Sequence, residues 1–77
     1  MAMVWRATPR SKSILMAGYD ARRRVMTVVY TGGTAYDYQD VPSSLWEQYE
    51  NEIDNGGSAG AFINNEVKPY FRFDKEE

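Results

Sequence analysis

Neither cysteine nor histidine occurs among the 77 residues. The first absence removes disulfides and thiolate metal sites, so a domain this small must hold together by packing or by association. The second removes the side chain best suited to acid and base work near neutral pH and the commonest zinc ligand, which excludes catalytic triads, zinc sites and histidine-based hydrolysis. Long apolar runs are also missing. The N-terminal cluster Met1-Ala2-Met3-Val4-Trp5 is shorter than the apolar region of a signal peptide and is followed closely by Arg6 and Pro9, so no export or membrane-spanning segment is expected, and the cytoplasm is the expected location. A chain of this length forms one domain that buries only roughly 60% of its unfolded surface, which leaves little room for a catalytic cleft.

Charge is present, and it is sorted. Residues 1–25 carry six cations (Arg6, Arg10, Lys12, Arg22, Arg23, Arg24) against Asp20 alone, whereas the rest of the chain carries three cations against ten carboxylates. The net charge of −2 hides this asymmetry. A cationic patch beside an acidic helix suits directed contact with a polyanion, while a solvated mixed surface is the competing reading.

Hydrophobic periodicity predicts three strands. Ser13 to Tyr19 ends in the turn residues Asp20-Ala21-Arg22-Arg23; Val25 to Thr31 is apolar on both alternation sets, as for a central strand; Thr34 to Gln39 places Tyr36 and Tyr38 on one side and Ala35, Asp37 and Gln39 on the other. Gly32-Gly33 is expected to supply the positive φ angles of a two-residue hairpin. Pro42 then suits the first turn of a helix, with Leu45, Trp46, Tyr49 and Ile53 on its apolar face and Glu47, Glu50 and Glu52 outward. Asn55-Gly56-Gly57 ends that helix, and Ser58 caps a second, which Pro69 stops. Tyr70-Phe71-Arg72-Phe73 either docks at the sheet edge or forms a short strand. The expected architecture is α+β: a three-stranded antiparallel β-meander followed by two short helices on one face of the sheet. Residues 1–10 form an N-terminal extension, 11–73 the single domain, and 74–77 an acidic tail that frays.

The residues Ser13-Ile14, Gly18-Tyr19-Asp20, Gly33, Tyr36-x-Tyr38, Val41-Pro42 and Ser58-x-Gly60-x-Phe62-x-Asn64, taken in order, resemble the KTSC domain over roughly residues 11–70. The resemblance implies a β-meander followed by two helices, and a role in RNA binding that has been proposed for the family, which takes its name from the C-terminus of some lysyl-tRNA synthetases. Residues 1–10 have no counterpart in that motif. Trp46 and Asn64-Asn65-Glu66 also depart from it, standing where a tyrosine and a more basic segment are common.

RNA binding would use arginines on phosphates and aromatic faces under bases, the latter contributing about 1–3 kcal/mol per base. The candidates are Arg22, Arg23 and Arg24 in a hairpin loop, Arg10 and Lys12, and Tyr36 and Tyr38 if their rings are exposed. The alternation favours those two rings in the core, because the opposite set is the more polar. Ser58 and Gly60 form a candidate anion-binding helix start, although a plain cap is the commoner explanation of Ser58. Asp20, Asp37 and Asp40 lack the dense spacing of a calcium loop, so neither a metal nor a cofactor is expected. The reading is a small non-enzymatic binding module whose partner is RNA, either tRNA or single-stranded. The alternative is a protein-interaction module using stray aromatics such as Trp5, a phage-type inhibitor, or a sponge for a small anionic ligand.

Overall fold

The computed structural model describes residues 3–76. Five strands form one antiparallel sheet in sequence order: β1 (Val4–Ala7), β2 (Ile14–Asp20), β3 (Val25–Tyr30), β4 (Ala35–Tyr38) and β5 (Phe73–Lys75). Between β4 and β5 the chain forms helix α1 (Ser43–Asp54) and helix α2 (Ala59–Phe62), which widens into a π-helical segment at Ile63–Val67. The α+β class and the two helices match the sequence reading, but the sheet has five strands rather than three. The first comes from the segment set outside the domain, and the second begins at Phe73, where a short strand was one of two readings, and runs on into the tail. Val4–Ala7 pairs with β2, and Phe73–Lys75 pairs with β4, with the Glu76 N–H also donating to the Ala35 carbonyl at 2.8 Å. Residues 74–76 are therefore sheet edge rather than frayed tail; Met1, Ala2 and Glu77 lie outside the described residues.

Alternation along each strand divides the sheet into two faces. One carries Ala17, Tyr19, Met26, Val28 and Tyr38, which are buried with Trp46 and Tyr49 of α1 and with Ala59, Ile63 and Val67. Aromatic stacking continues across this layer, with Tyr19 on Trp46 at 5.6 Å between centroids and Trp46 on Tyr49 at 5.4 Å. A register irregularity between Ile14 and Met16 turns Leu15 outward while keeping both Ile14 and Ala17 in this core.

Several motif residues act through the backbone here. The Tyr19 hydroxyl donates to the Val41 carbonyl at 2.5 Å, and the Val41 N–H donates to the Arg24 carbonyl at 2.9 Å, which pins the entry to α1 against the β2–β3 turn. That turn is braced by the Asp20 carboxylate, which accepts from the Arg22 and Arg23 N–H groups. The β3–β4 turn is a three-residue loop: the Gly33 N–H returns to the Tyr30 carbonyl, Tyr30 N–H donates to Thr34, and of the two glycines only Gly33 has positive φ, at 93°.

On the helix-free face, one cross-strand row takes a residue from each strand: Trp5, Gly18, Thr27, Asp37 and Asp74. Gly18 is required there by Trp5. A Cβ at Gly18 would lie 2.7 Å from two ring carbons of the indole, so the ring rests directly on bare backbone. Gly18→Ala should destabilise by about 1 kcal/mol, the low end of overpacking because the half-exposed ring can lift. The same change in a Trp5→Ala background should be close to neutral, and a double-mutant cycle by urea denaturation reads the difference. Equal losses in both backgrounds would show that the indole is not what Gly18 accommodates.

Candidate functional site

Two turns separated in sequence by more than forty residues close on a cleft of about 660 Å³. The first joins β1 to β2. Its Ser11 N–H donates to the Thr8 carbonyl, the Ser11 hydroxyl accepts from the N–H groups of Ser13 and Ile14 at 3.3 and 3.0 Å, and the Thr8 hydroxyl donates to the Ile14 carbonyl at 2.6 Å. This bracing holds Arg10 and Lys12 on the cleft wall, Arg10 exposed. The second turn follows α1, whose last carbonyls are satisfied by a Schellman arrangement. Gly57 N–H donates to Glu52 at 2.8 Å and Gly56 N–H to Ile53 at 3.2 Å. The chain then reaches Ser58, whose hydroxyl accepts from the Ala61 N–H at 3.1 Å.

The two turns meet where Ser13 faces Gly60. A Cβ at Gly60 would stand 2.8 Å from the Ser13 hydroxyl, so a larger residue there would push the two sides apart. Arg6 borders the same cleft but is already engaged, donating to Glu50 at 3.0 Å and to Asp54. These contacts raise its pKa, the Asp54 hydrogen bond most of all, and tie edge strand β1 to α1. Glu50, expected to face outward, turns toward this arginine. Among the described residues, Arg10 and Lys12 have no carboxylate within ion-pair distance.

The structure thus gathers Arg10, Lys12 and Ser58 at one cleft, with Gly60 directly behind it. It does not bring Arg22, Arg23 and Arg24 to that place. They are exposed at the opposite end of β2, roughly 20 Å away for a strand of seven residues. Arg24 itself adopts a left-handed conformation, φ 59°, as the residue that closes the hairpin. Nor are Tyr36 and Tyr38 open faces. Tyr38 is wholly buried, and the half-buried Tyr36 is flanked edge-on by Tyr30 and Phe73, at 5.6 and 5.2 Å between centroids. Both project toward the helices, so the stacking role considered for them is corrected to a packing role. On the helix-free face the exposed aromatic among the described residues is Trp5, at 46%.

Sequence reasoning missed Ser11, Ser13, Gly56 and Gly57 as cleft residues. The available signal was that Ser11-Lys12-Ser13 and Asn55-Gly56-Gly57-Ser58 are both polar turn segments; their adjacency is tertiary. Among the described residues no helix is long and apolar enough to cross a membrane.

Similarity to known proteins bears on this geometry. A relative from Tsukamurella paurometabola is 36% identical over 62 residues, covering 80% of this chain and 87% of that protein. A lysine–tRNA ligase from Nostoc punctiforme is 28% identical over 67 residues; the match takes in 87% of this chain but only 11% of the ligase. The crystal structure of a KTSC domain protein from Yersinia pestis superposes with a TM-score of 0.75 at 27% identity, covering 99% of this chain and all of that one. The sequence model of the KTSC domain matches residues 10–71, a span that contains Arg10, Lys12 and Ser58 but not the lining residues Arg6 to Pro9, and the chain belongs to the KTSC domain family.

Proposed function

We propose that the protein is a nucleic-acid-binding module without chemistry of its own, which holds RNA by its phosphates at the cleft of Arg10, Lys12 and Ser58. The observation that carries this reading is the convergence on one concave surface of three serine hydroxyls and two cations that are unpaired among the described residues. Its similarity to part of a lysine–tRNA ligase supports tRNA as the first RNA to try. Fluorescence anisotropy of labelled tRNA at several salt concentrations tests it. Arg10→Ser with Lys12→Ser should weaken binding and reduce the magnitude of the log–log salt slope by about 1.5–2, because two phosphates are no longer neutralised. Replacing Arg22, Arg23 and Arg24 by serine should have the smaller effect, because that loop stands at the other end of β2. An unchanged slope in the double variant would discard the cleft.

One observation favours a second reading, a protein-interaction module. Trp5 lies half-exposed on the helix-free face, in the same row as Asp37 and Asp74. An aromatic ring in one row with carboxylates three and four strands away complements an extended arginine- or lysine-bearing segment. Trp5→Ala would then abolish binding of such a partner and leave tRNA binding intact.

A further inference from the structure

We infer that the cleft between residues 8–13 and 54–59 seats a ribose-phosphate unit through its phosphoryl oxygens and is indifferent to the base attached. This rests on the nucleic-acid reading above and names what the cleft holds. Its walls are rich in donors. Arg10 and Lys12 are free of carboxylates among the described residues, and the one carboxylate in the lining, Asp54, is engaged by Arg6. Both lone pairs of the Ser11 hydroxyl are taken by backbone N–H groups, so its proton is what it has to offer a ligand, and the Ser58 hydroxyl, which accepts one N–H, keeps its proton for donation as well. Cationic and hydroxyl donors facing one space match a group with several anionic acceptor oxygens, which is a phosphoryl group.

Size and wall chemistry extend the match beyond bare phosphate. The volume of about 660 Å³ lies inside the usual range for small-molecule sites, about 300–1,000 Å³, and leaves room for a sugar beside the phosphate. No aromatic residue lines the cleft. Base recognition in single-stranded RNA depends on such platforms, so a base extending from this seat has nothing on which to stack. The aliphatic walls Ala7, Pro9 and Ile53 offer contact to any sugar edge without discriminating between nucleotides.

The test is a ¹H–¹⁵N NMR titration of the full chain with ribose 5-phosphate, AMP, CMP and adenosine. Saturable shifts are expected at residues 8–13 and 54–59, with the three phosphates binding within about threefold of one another and adenosine giving none. Arg10→Ser with Lys12→Ser should weaken ribose 5-phosphate binding by about tenfold or more while the spectrum stays dispersed. AMP binding about tenfold tighter than ribose 5-phosphate, adenosine shifting the same amides, or no saturable shift by about 20 mM would each overturn the inference. Displacement of ribose 5-phosphate by tRNA would identify RNA as a source of the bound unit. If ribose 5-phosphate binds and tRNA does not, the RNA reading falls and the seat stands. If tRNA binds through Arg10 and Lys12 while ribose 5-phosphate shifts nothing, the seat falls and the RNA reading stands.

Discussion

Tyr38→Ala is expected to lower the unfolding free energy by about 3–5 kcal/mol, as truncation of other large buried aromatics does. The ring is wholly buried, packs 5.6 Å from Phe73 between centroids, and lies opposite Met26 in the middle of the sheet. A chain of this length has about 4–12 kcal/mol of stability in total, so the loss removes a large fraction and should lower Tm by at least about 12 °C. Tyr38→Phe separates ring from hydroxyl. That hydroxyl is buried without a hydrogen-bond partner among the described residues, so its removal should change stability by less than about 1 kcal/mol or increase it. Thermal unfolding followed by far-ultraviolet circular dichroism reads both. A loss of only about 1 kcal/mol in the alanine variant would contradict the burial that disqualifies this ring from stacking on RNA. Tyr36→Ala should lose less than Tyr38→Ala, since Tyr36 is only half-buried.

Alkali should unfold the domain at a pH set by its buried tyrosines. Burial pushes the Tyr49 phenol from its ordinary value of 10.0 up to about 12, and Tyr38 and Tyr19 are raised chiefly by the same cause. The native state keeps these phenols neutral while the unfolded chain ionises near pH 10. Their contribution is therefore complete below pH 10 and is lost as pH rises toward the folded values, at about 1.4 kcal/mol per pH unit for each tyrosine. Tyr49 alone accounts for about 3 kcal/mol by pH 12, and Tyr38 adds a loss of similar size over the same interval. Tyrosinate absorbance and circular dichroism recorded together should show ionisation of the buried group coinciding with loss of structure. If all six tyrosines titrated near pH 10 with the fold intact, the packing described for Tyr38 and Tyr49 would be wrong. Tyr49→Phe should reduce the slope by one tyrosine's share.

Much of the sheet was legible because β2, β3 and β4 announce themselves by local pattern: a two-sided apolar run, clean alternation through Tyr36 and Tyr38, and turn residues at both junctions. Strand β1 was not, and β5 only as one of two readings of Tyr70 to Phe73. Val4-Trp5-Arg6-Ala7 is short and carries a charge toward the helices, an arrangement that makes sense only once Glu50 and Asp54 are seen across the space from Arg6. Phe73-Asp74-Lys75 is three residues with two charges, and its pairing partner lies some 37 residues earlier in the chain. The candidate site was half legible for a related reason. Arg10, Lys12 and Ser58 were each identifiable as residues that suit an anion, and sequence order grouped Arg10 and Lys12 with Arg22 to Arg24. The intervening strand β2 undoes that grouping, while the α1–α2 turn brings Ser58 in from far along the chain.

The segment by which the family is recognised, residues 10–71, begins after β1 and stops before β5. A fragment cut to those limits would leave β2 and β4 with bare rows of N–H and C=O groups, and Gly18 without its indole cover. Such rows are templates for another copy of the chain. Short outer strands bearing Arg6, Asp74 and Lys75 cover those rows, so the fragment that identifies the kin is expected to self-associate more readily than the chain that keeps its guard rails.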